Sequence, residues 1–219
     1  MKAQYHHGDL ARSLVVAAVS LLETRGLAGL SLREVARLAG VSHGAPAHHF
    51  RDKAGLLTAV AIEGYQLLAA ALIENRERTG LAPDQQLVAA GEAYIGFAIS
   101  RTAYFEIMFR PALINSRDPE YLAASRIPKE ILEQCIRDFL QAQDATSAPP
   151  EQRIEATAIA LWSQVHGFAT LWLAGNLGNP ADKVLFDKMV FDMLSSISPK
   201  FQGRDAQLPA SHQLQPTRP

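Results

Sequence analysis

The chain has 219 residues, of which 48% are hydrophobic and 20% charged, enough apolar material for a sizeable core and too much for a wholly disordered chain. Twenty-one Lys and Arg against 22 Asp and Glu leave a net charge of −1, so no global basic excess announces a nucleic-acid partner. The single cysteine, Cys135, excludes an internal disulfide framework and any Cys-based zinc or iron–sulfur site.

The average hides a split. Through Gly55 there are seven Lys or Arg against four acids, a local +3 that leaves −4 for the rest, and five of the seven His lie in the same stretch. A basic head on an acidic body is the layout of a protein whose one end meets a polyanion. The N-terminus, MKAQYHHGDL, lacks the apolar core of a secretory signal, which favours a cytoplasmic location. Residues 156–181 carry no formal charge, yet Ser163-Gln164, His166-Gly167 and Asn176 interrupt them, so they read as a buried helix and no membrane span is expected.

Helical periodicity dominates from end to end, and the fold class it predicts is all-α. Asp9 can cap a first helix in which Leu10, Leu14, Ala17 and Leu21 share a stripe, ending near Arg25-Gly26. Ser31-Leu32-Arg33-Glu34 has the form of a capping box, with Ser31 accepting an early amide and Glu34 reaching back. The second helix runs to Ala39. Gly40 permits a sharp turn, and Ser42 offers a cap for a third helix through about His49, which puts Pro46 at its fourth position. A long apolar helix through Leu56, Val60, Leu68 and Leu72 then connects this head to a body, ending at Gly80 to Pro83.

Cap-then-proline pairs at Asp118-Pro119 and Asn179-Pro180, and Pro149-Pro150 before Glu151, place body helices near 84–102, 104–115, 119–143, 151–175 and 180–198. The last 21 residues, from Pro199, hold four Pro and few large apolar groups and are expected to be a disordered tail. This gives a head at 1–55, a ligand-binding and dimerisation body at 56–198 and a tail at 199–219. In the penultimate helix Ile154, Ala158, Leu161, Val165, Phe168 and Trp172 form one stripe, while Ile159, Trp162, His166, Ala169 and Leu173 form another. Such a helix is buried on two sides, either in a large monomeric core or, with the stripe Phe186, Val190, Met193, Leu194 and Ile197, in a four-helix homodimer interface over about 151–198.

The functional motif is LREVARLAGVSHGAPAHHF, Leu32 to Phe50. A small Ala36 followed four residues later by Gly40 is the helix-turn-helix pattern, because two crossing helices leave no room at Ala36. Leu32, Val35, Val41 and Phe50 bury the inner faces, while Ser31, Arg33, Arg37, His48, His49 and Lys53 can ring a phosphate backbone.

Over about residues 9–58 this arrangement resembles the DNA-binding signature of TetR-family transcriptional regulators. The start YHHGDL and the later WSQVHG at 162–167 are similar to the subgroup marked by a Trp, His and Gly on its penultimate helix. The resemblance implies a homodimeric, usually repressing regulator that binds a palindromic double-stranded operator and releases it when a small molecule of unknown identity binds the body. By position, it implies that Ser31 and Lys53 hold phosphates, that His43, Gly44 and Ala45 enter the major groove beside Ser42, and that His48 and His49 flank it. The family usually has a tyrosine where Ala47 stands, so one phosphate contact is missing, and indirect readout should share the specificity.

Candidate walls of a ligand pocket are Tyr94, Phe97, Met108, Phe109 and Trp162, with His166 either a hydrogen-bonded core histidine or a group that orients a ligand's polar end. Arg110 could supply a charge or cap the end of its helix. His6-His7 and His48-His49 do not make a metal site, because adjacent side chains diverge and no acid or thiolate completes a set; no cofactor is expected. No paired Glu-x-x-His motifs, glycine-rich phosphate loop or nucleophile elbow is present, so an enzyme is not expected. The competing reading is a helical binding module of the same fold whose head engages a protein rather than operator DNA.

Overall fold

The computed structural model describes residues 7–77 and 80–196, with side chains from Leu10 onward. The N-terminal His pair and the expected tail, together with Ile197, lie outside the residues whose side chains are described. Among the described residues there are nine α-helices, two 3-10 turns and no strand. The all-α expectation holds.

The first three helices form the head: α1 (His7–Arg25), α2 (Leu32–Leu38) and α3 (Ala45–Phe50). Helix α1 begins before Asp9, which therefore stands inside its first turn and not at its cap. Leu14, Ala18 and Leu21 of α1 and Val35 and Ala36 of α2 are buried against one another, which is the packing the small Ala36 permits. Ser31 caps α2 as expected, accepting from the Glu34 amide at 3.2 Å. The reciprocal half of the box is absent: Glu34 Oε2 instead accepts from Arg37 Nη2 at 3.0 Å and Arg25 Nη1 at 3.2 Å. Two guanidinium groups compete successfully with one backbone amide for that carboxylate.

The third helix departs more. It starts at Ala45, capped by Gly44, and Ser42 offers only its carbonyl, which accepts from the Ala45 amide at 3.0 Å. Pro46 therefore occupies the second helical position and not the fourth, in the first turn, where its missing amide would have had no partner.

Helix α4 (Lys53–Arg76) carries the chain out of the head, capped by Asp52, which accepts from the Gly55 amide at 2.8 Å. By length and composition it could cross a membrane, yet most of that stretch is enclosed by α1, α5, α6 and α7. The uncharged stretch 156–181 is divided between α8 and the loop that follows it. The body comprises α5 (Pro83–Ser100), α6 (Thr102–Met108), α7 (Pro119–Gln143), α8 (Glu151–Leu173) and α9 (Lys183–Ser195). Helix α6 is shorter than expected because Pro111 forces Arg110 out of the helical region, to φ −118° and ψ 77°, and a 3-10 turn follows at Pro111–Leu113. Arg110 pairs with Glu106 at 3.7 Å on the exposed side of this helix.

Asp118 caps α7 as expected, accepting from the amides of Glu120 and Tyr121. Asn179 closes only a local turn by accepting from the Ala181 amide, and α9 waits for the Asp182 cap. Two apolar clusters hold the body together. The larger joins α1, α4, α5, α6, α8 and α9; the smaller links Leu87, Cys135, Ile136, Leu140, Ile154 and Ala158.

Leu194 is 2% exposed and lies in its own chain's core. Gly91 on α5 makes room for it, since a Cβ there would stand 2.5 Å from its Cδ2. Phe186 packs on Trp172 with ring centroids 5.0 Å apart. The stripe on α9 expected to meet a second subunit thus turns Leu194 and Phe186 inward.

Candidate nucleic-acid interface and apolar cavity

The head presents the expected positions in an ordered way. Gly40 takes φ +68°, and the Val41 amide donates to the Ala36 carbonyl at 3.0 Å, closing the turn between α2 and α3. Ser31, Ser42, His43, Gly44 and His48 are exposed, and Ala45, His49 and Lys53 are half-buried. Arg33 stands one residue into α2, between the Ser31 cap and Glu34. His48 and His49 meet edge to face at 5.7 Å. Arg25 and Arg37 share the carboxylate of Glu34, whose pKa the Arg37 hydrogen bond, with the charges of both arginines, holds below its ordinary range. Arg37 is therefore less available to a phosphate than its position on α2 suggests.

Lys53 has a second task. Its ammonium donates to the Leu27 carbonyl at 3.1 Å, tying the start of α4 to the turn after α1, with two N–H groups left for other acceptors. The exposed Arg51 is not among the positions the sequence singles out. It holds φ +66° and ψ −55° at the end of α3, and the next amide, of Asp52, donates back to the Phe50 carbonyl at 2.7 Å. This is a γ-turn of the positive-φ kind, strained for a residue with a side chain. No signal in the sequence announces it, although Gly55 is the residue that leaves space for the Phe50 carbonyl.

Within the body a cavity of about 700 Å³ lies between α4, α5, α7 and α8, well inside the range of small-molecule sites. Tyr94, Met108, Phe109 and Trp162 line it, as the sequence suggested. Phe97 does not: one turn beyond Tyr94 on α5, it is buried in the main core. His166 stands behind the wall, with its ring 4.6 Å from Phe109, 5.2 Å from Phe105 and 5.7 Å from Trp162. Its Nδ1 is 2.8 Å from the Tyr94 hydroxyl, which also accepts from the Trp162 indole N–H at 3.2 Å. Burial pushes the His166 pKa down and that of Tyr94 up, so both are neutral near pH 7.

Sequence reasoning missed other walls, among them Tyr65, Leu68 and Leu72 on α4, Leu87 and Gly91 on α5, and Tyr121 with Pro128 on α7. Pro128, inside α7, was the available signal, since a proline in a helix interior often marks a site where regular packing is interrupted.

The profile "Bacterial regulatory proteins, tetR family" matches residues 14–60, and "Tetracyclin repressor-like, C-terminal domain" matches residues 87–193. This chain belongs to the TetR family of transcriptional regulators. The TetR-family head is also 41% identical over 63 residues to the HTH-type transcriptional regulator BetI of Ectopseudomonas mendocina (strain ymp), a match spanning 29% of this chain and 32% of that protein. Among solved structures, a Rhodococcus sp. RHA1 protein of unknown function is similar at 29% identity and TM-score 0.71, over 91% of this chain and 97% of that one. The structure of AibR in complex with isovaleryl coenzyme A and operator DNA is similar at 17% identity and TM-score 0.64, over 85% and 97% of the two chains. At that identity the likeness speaks for the TetR-like fold alone. The regulator's helix-turn-helix is thus a DNA-binding domain by family, and its helical C-terminal region holds the cavity.

Proposed function

We propose that the protein is a cytoplasmic, ligand-responsive repressor that binds a palindromic operator as a homodimer and releases it when a small molecule enters the cavity. The observation that carries this reading is the cavity itself: Tyr65, Leu68 and Leu72, three of its walls, belong to the same helix whose first residues close the DNA-binding head. A molecule that displaces those side chains acts directly on α4. Residues 1–55 serve as the head and 56–198 as the sensing and dimerising body.

At the DNA, His43, Gly44 and Ala45 enter the major groove beside Ser42. Ser31, Arg33, His48, His49 and Lys53 hold or flank phosphates. The second subunit docks through the outer faces of α8 and α9. Two observations favour that face. Leu171 and Val184 are exposed at 44% and 81%, and a Cβ built on Gly167, mid-helix, meets nothing within 4 Å. Glycine in a helix costs about 1 kcal/mol relative to alanine, and the chain itself has no use for the space, so close approach of a second helix accounts for it.

The test is selection of bound sites from randomised duplex DNA with full-length protein at two salt concentrations. An enriched near-palindrome with a steep salt dependence is expected, with a log–log slope of about −0.9 per phosphate contact. A folded dimer that enriches no sequence would favour a head that engages a protein partner.

A further inference from the structure

Four polar groups on the cavity wall have one property in common: their protons are already spent. The Tyr65 hydroxyl donates to the Met108 carbonyl at 3.3 Å. The Ser125 hydroxyl donates to the Leu122 carbonyl at 3.1 Å. The Trp162 indole N–H donates to the Tyr94 oxygen, and we assign the Tyr94 proton to Nδ1 of the neutral His166, 2.8 Å away. Tyr121 stands beside Tyr65, 5.7 Å ring to ring. What these groups still offer a guest is lone pairs.

The charges at the mouth point the same way. The charged lining residues are two carboxylates, Glu133 and Glu155, and one ammonium, Lys129, paired with Glu133 at 3.4 Å, so that the mouth carries two negative charges against one positive. Among the described residues Glu155 has no ion-pair partner. It stands two helical turns before Trp162 on α8, about 10 Å along the axis. With the exposed Ile159 between them, the carboxylate and the aromatic ring border one opening. An indole face and an unpaired carboxylate are the two side-chain groups that attract a cation most strongly at a partly wet site.

We infer that the cavity takes an amphipath with an apolar body and a hydrogen-bond-donating head, an organic ammonium above all, and that it discriminates against carboxylates and other anions. A carboxylate head would find acceptors where it needs donors, and an unpaired buried acceptor is penalised in full. The assignment rests on the reading of the cavity as the effector site, and its test separates the two.

Three probes sharing one chain, decylammonium, decanol and decanoate, are titrated calorimetrically into the full-length protein near neutral pH, below their aggregation thresholds. Decylammonium is expected to bind at least about tenfold more tightly than decanoate, the effect of one partly desolvated charge contact. Glu155→Gln should shrink that ratio severalfold. Decanoate binding as tightly as decylammonium, yet lost in Leu161→Trp, whose ring fills the cavity, would overturn the head-group assignment and leave the cavity as the ligand site. Absence of binding by all three probes, or binding that survives Leu161→Trp in a folded variant, would overturn both.

Discussion

A single methyl group at Gly55 tests how closely α3, the helix proposed to enter the major groove, is coupled to α4. A Cβ built there overlaps the Phe50 carbonyl oxygen and stands 3.1 Å from the carbonyl carbon, both backbone atoms that cannot rotate away. The same oxygen accepts the 2.7 Å bond from the Asp52 amide that closes the turn at Arg51. Gly55→Ala must therefore move the end of α3 by about 1 Å or break that bond. Overpacking costs ~1–3 kcal/mol and a lost hydrogen bond ~1 kcal/mol, so about 2–4 kcal/mol is expected in all. For a chain of this size that lowers Tm by roughly 5–15 °C.

The control is the same chemical change at Gly44, which has φ −79° and nothing within 4 Å of an added methyl. Gly44→Ala should leave Tm unchanged or raise it by the equivalent of ~0.4–1 kcal/mol, through the unfolded chain. It should nevertheless alter operator binding, because the methyl projects from the tip of α3. Calorimetric melting and fluorescence-anisotropy titration with the selected operator read the two effects separately. A Gly55→Ala protein with wild-type Tm and wild-type operator affinity would refute the coupling of α3 to α4 through this turn.

Three further outcomes follow from named contacts. Lys53→Ala should weaken binding to all sequences alike and lower the salt slope by about 0.9 per subunit, while His43→Ala should change the preference among sites; equal loss on every sequence from the His43 change would remove it from base readout. Burial depresses the folded pKa of His166, so its contribution to stability is complete above its unfolded value of about 6.5 and declines as pH falls below it. Melting curves between pH 7.5 and 5 should show a steeper acid-side loss for the wild type than for His166→Asn, and parallel curves would contradict the buried neutral imidazole. Gly167→Leu meets open space in the chain, so it should leave the subunit folded by circular dichroism while dissociating the dimer in sedimentation equilibrium; an intact dimer would move the interface off this face of α8.

Local signals were legible and distant ones were not. Ala36 and Gly40, the Ser31 cap and the Asp118 cap each depend on residues a few positions away, and each stands where the sequence puts it. Ser42 misled because it has the chemistry of a cap, whereas the chain turns once more before Gly44 admits the helix. A helix running to 115 neglects the effect of Pro111 on the residue before it. Cavity walls are harder in principle: Tyr65 and Leu68 share one apolar stripe with core neighbours, and only the packing of α7 across α4 separates a wall from a core position. Leu194 carried the spacing of an interface residue, and a missing side chain at Gly91, far along the chain, turned it into core.

On the proposed reading, two routes carry a displacement from the cavity to the head, and they converge. The first is α4, from Tyr65 and Leu68 at the cavity to Lys53 and its bond to Leu27. The second is α6, which brings Met108 and Phe109 to the cavity end and packs against both α1 and α4. The two are joined by Tyr65 to the Met108 carbonyl, and by Tyr104, which donates to Glu63 at 3.1 Å and whose pKa burial raises to about 12. A third clasp lies at Thr58, which is 4% exposed, donates to the Ala54 carbonyl and accepts from the Asn115 amide at 2.9 Å. Gly64 removes any slack, because a Cβ there would stand 2.6 Å from the Met108 sulfur. A guest that moves Phe109 or Tyr65 must therefore move α4 and α6 together. Recognition helices that read successive major grooves sit about 34–36 Å apart, so a tilt of a few ångströms at α4 misaligns one half-site. The guest's leverage is still bounded by its preference for the released form, about 10⁴-fold to invert a 99:1 bias. A tightly clasped α4 makes that preference large for a guest that fills the cavity and small for one that occupies only its mouth.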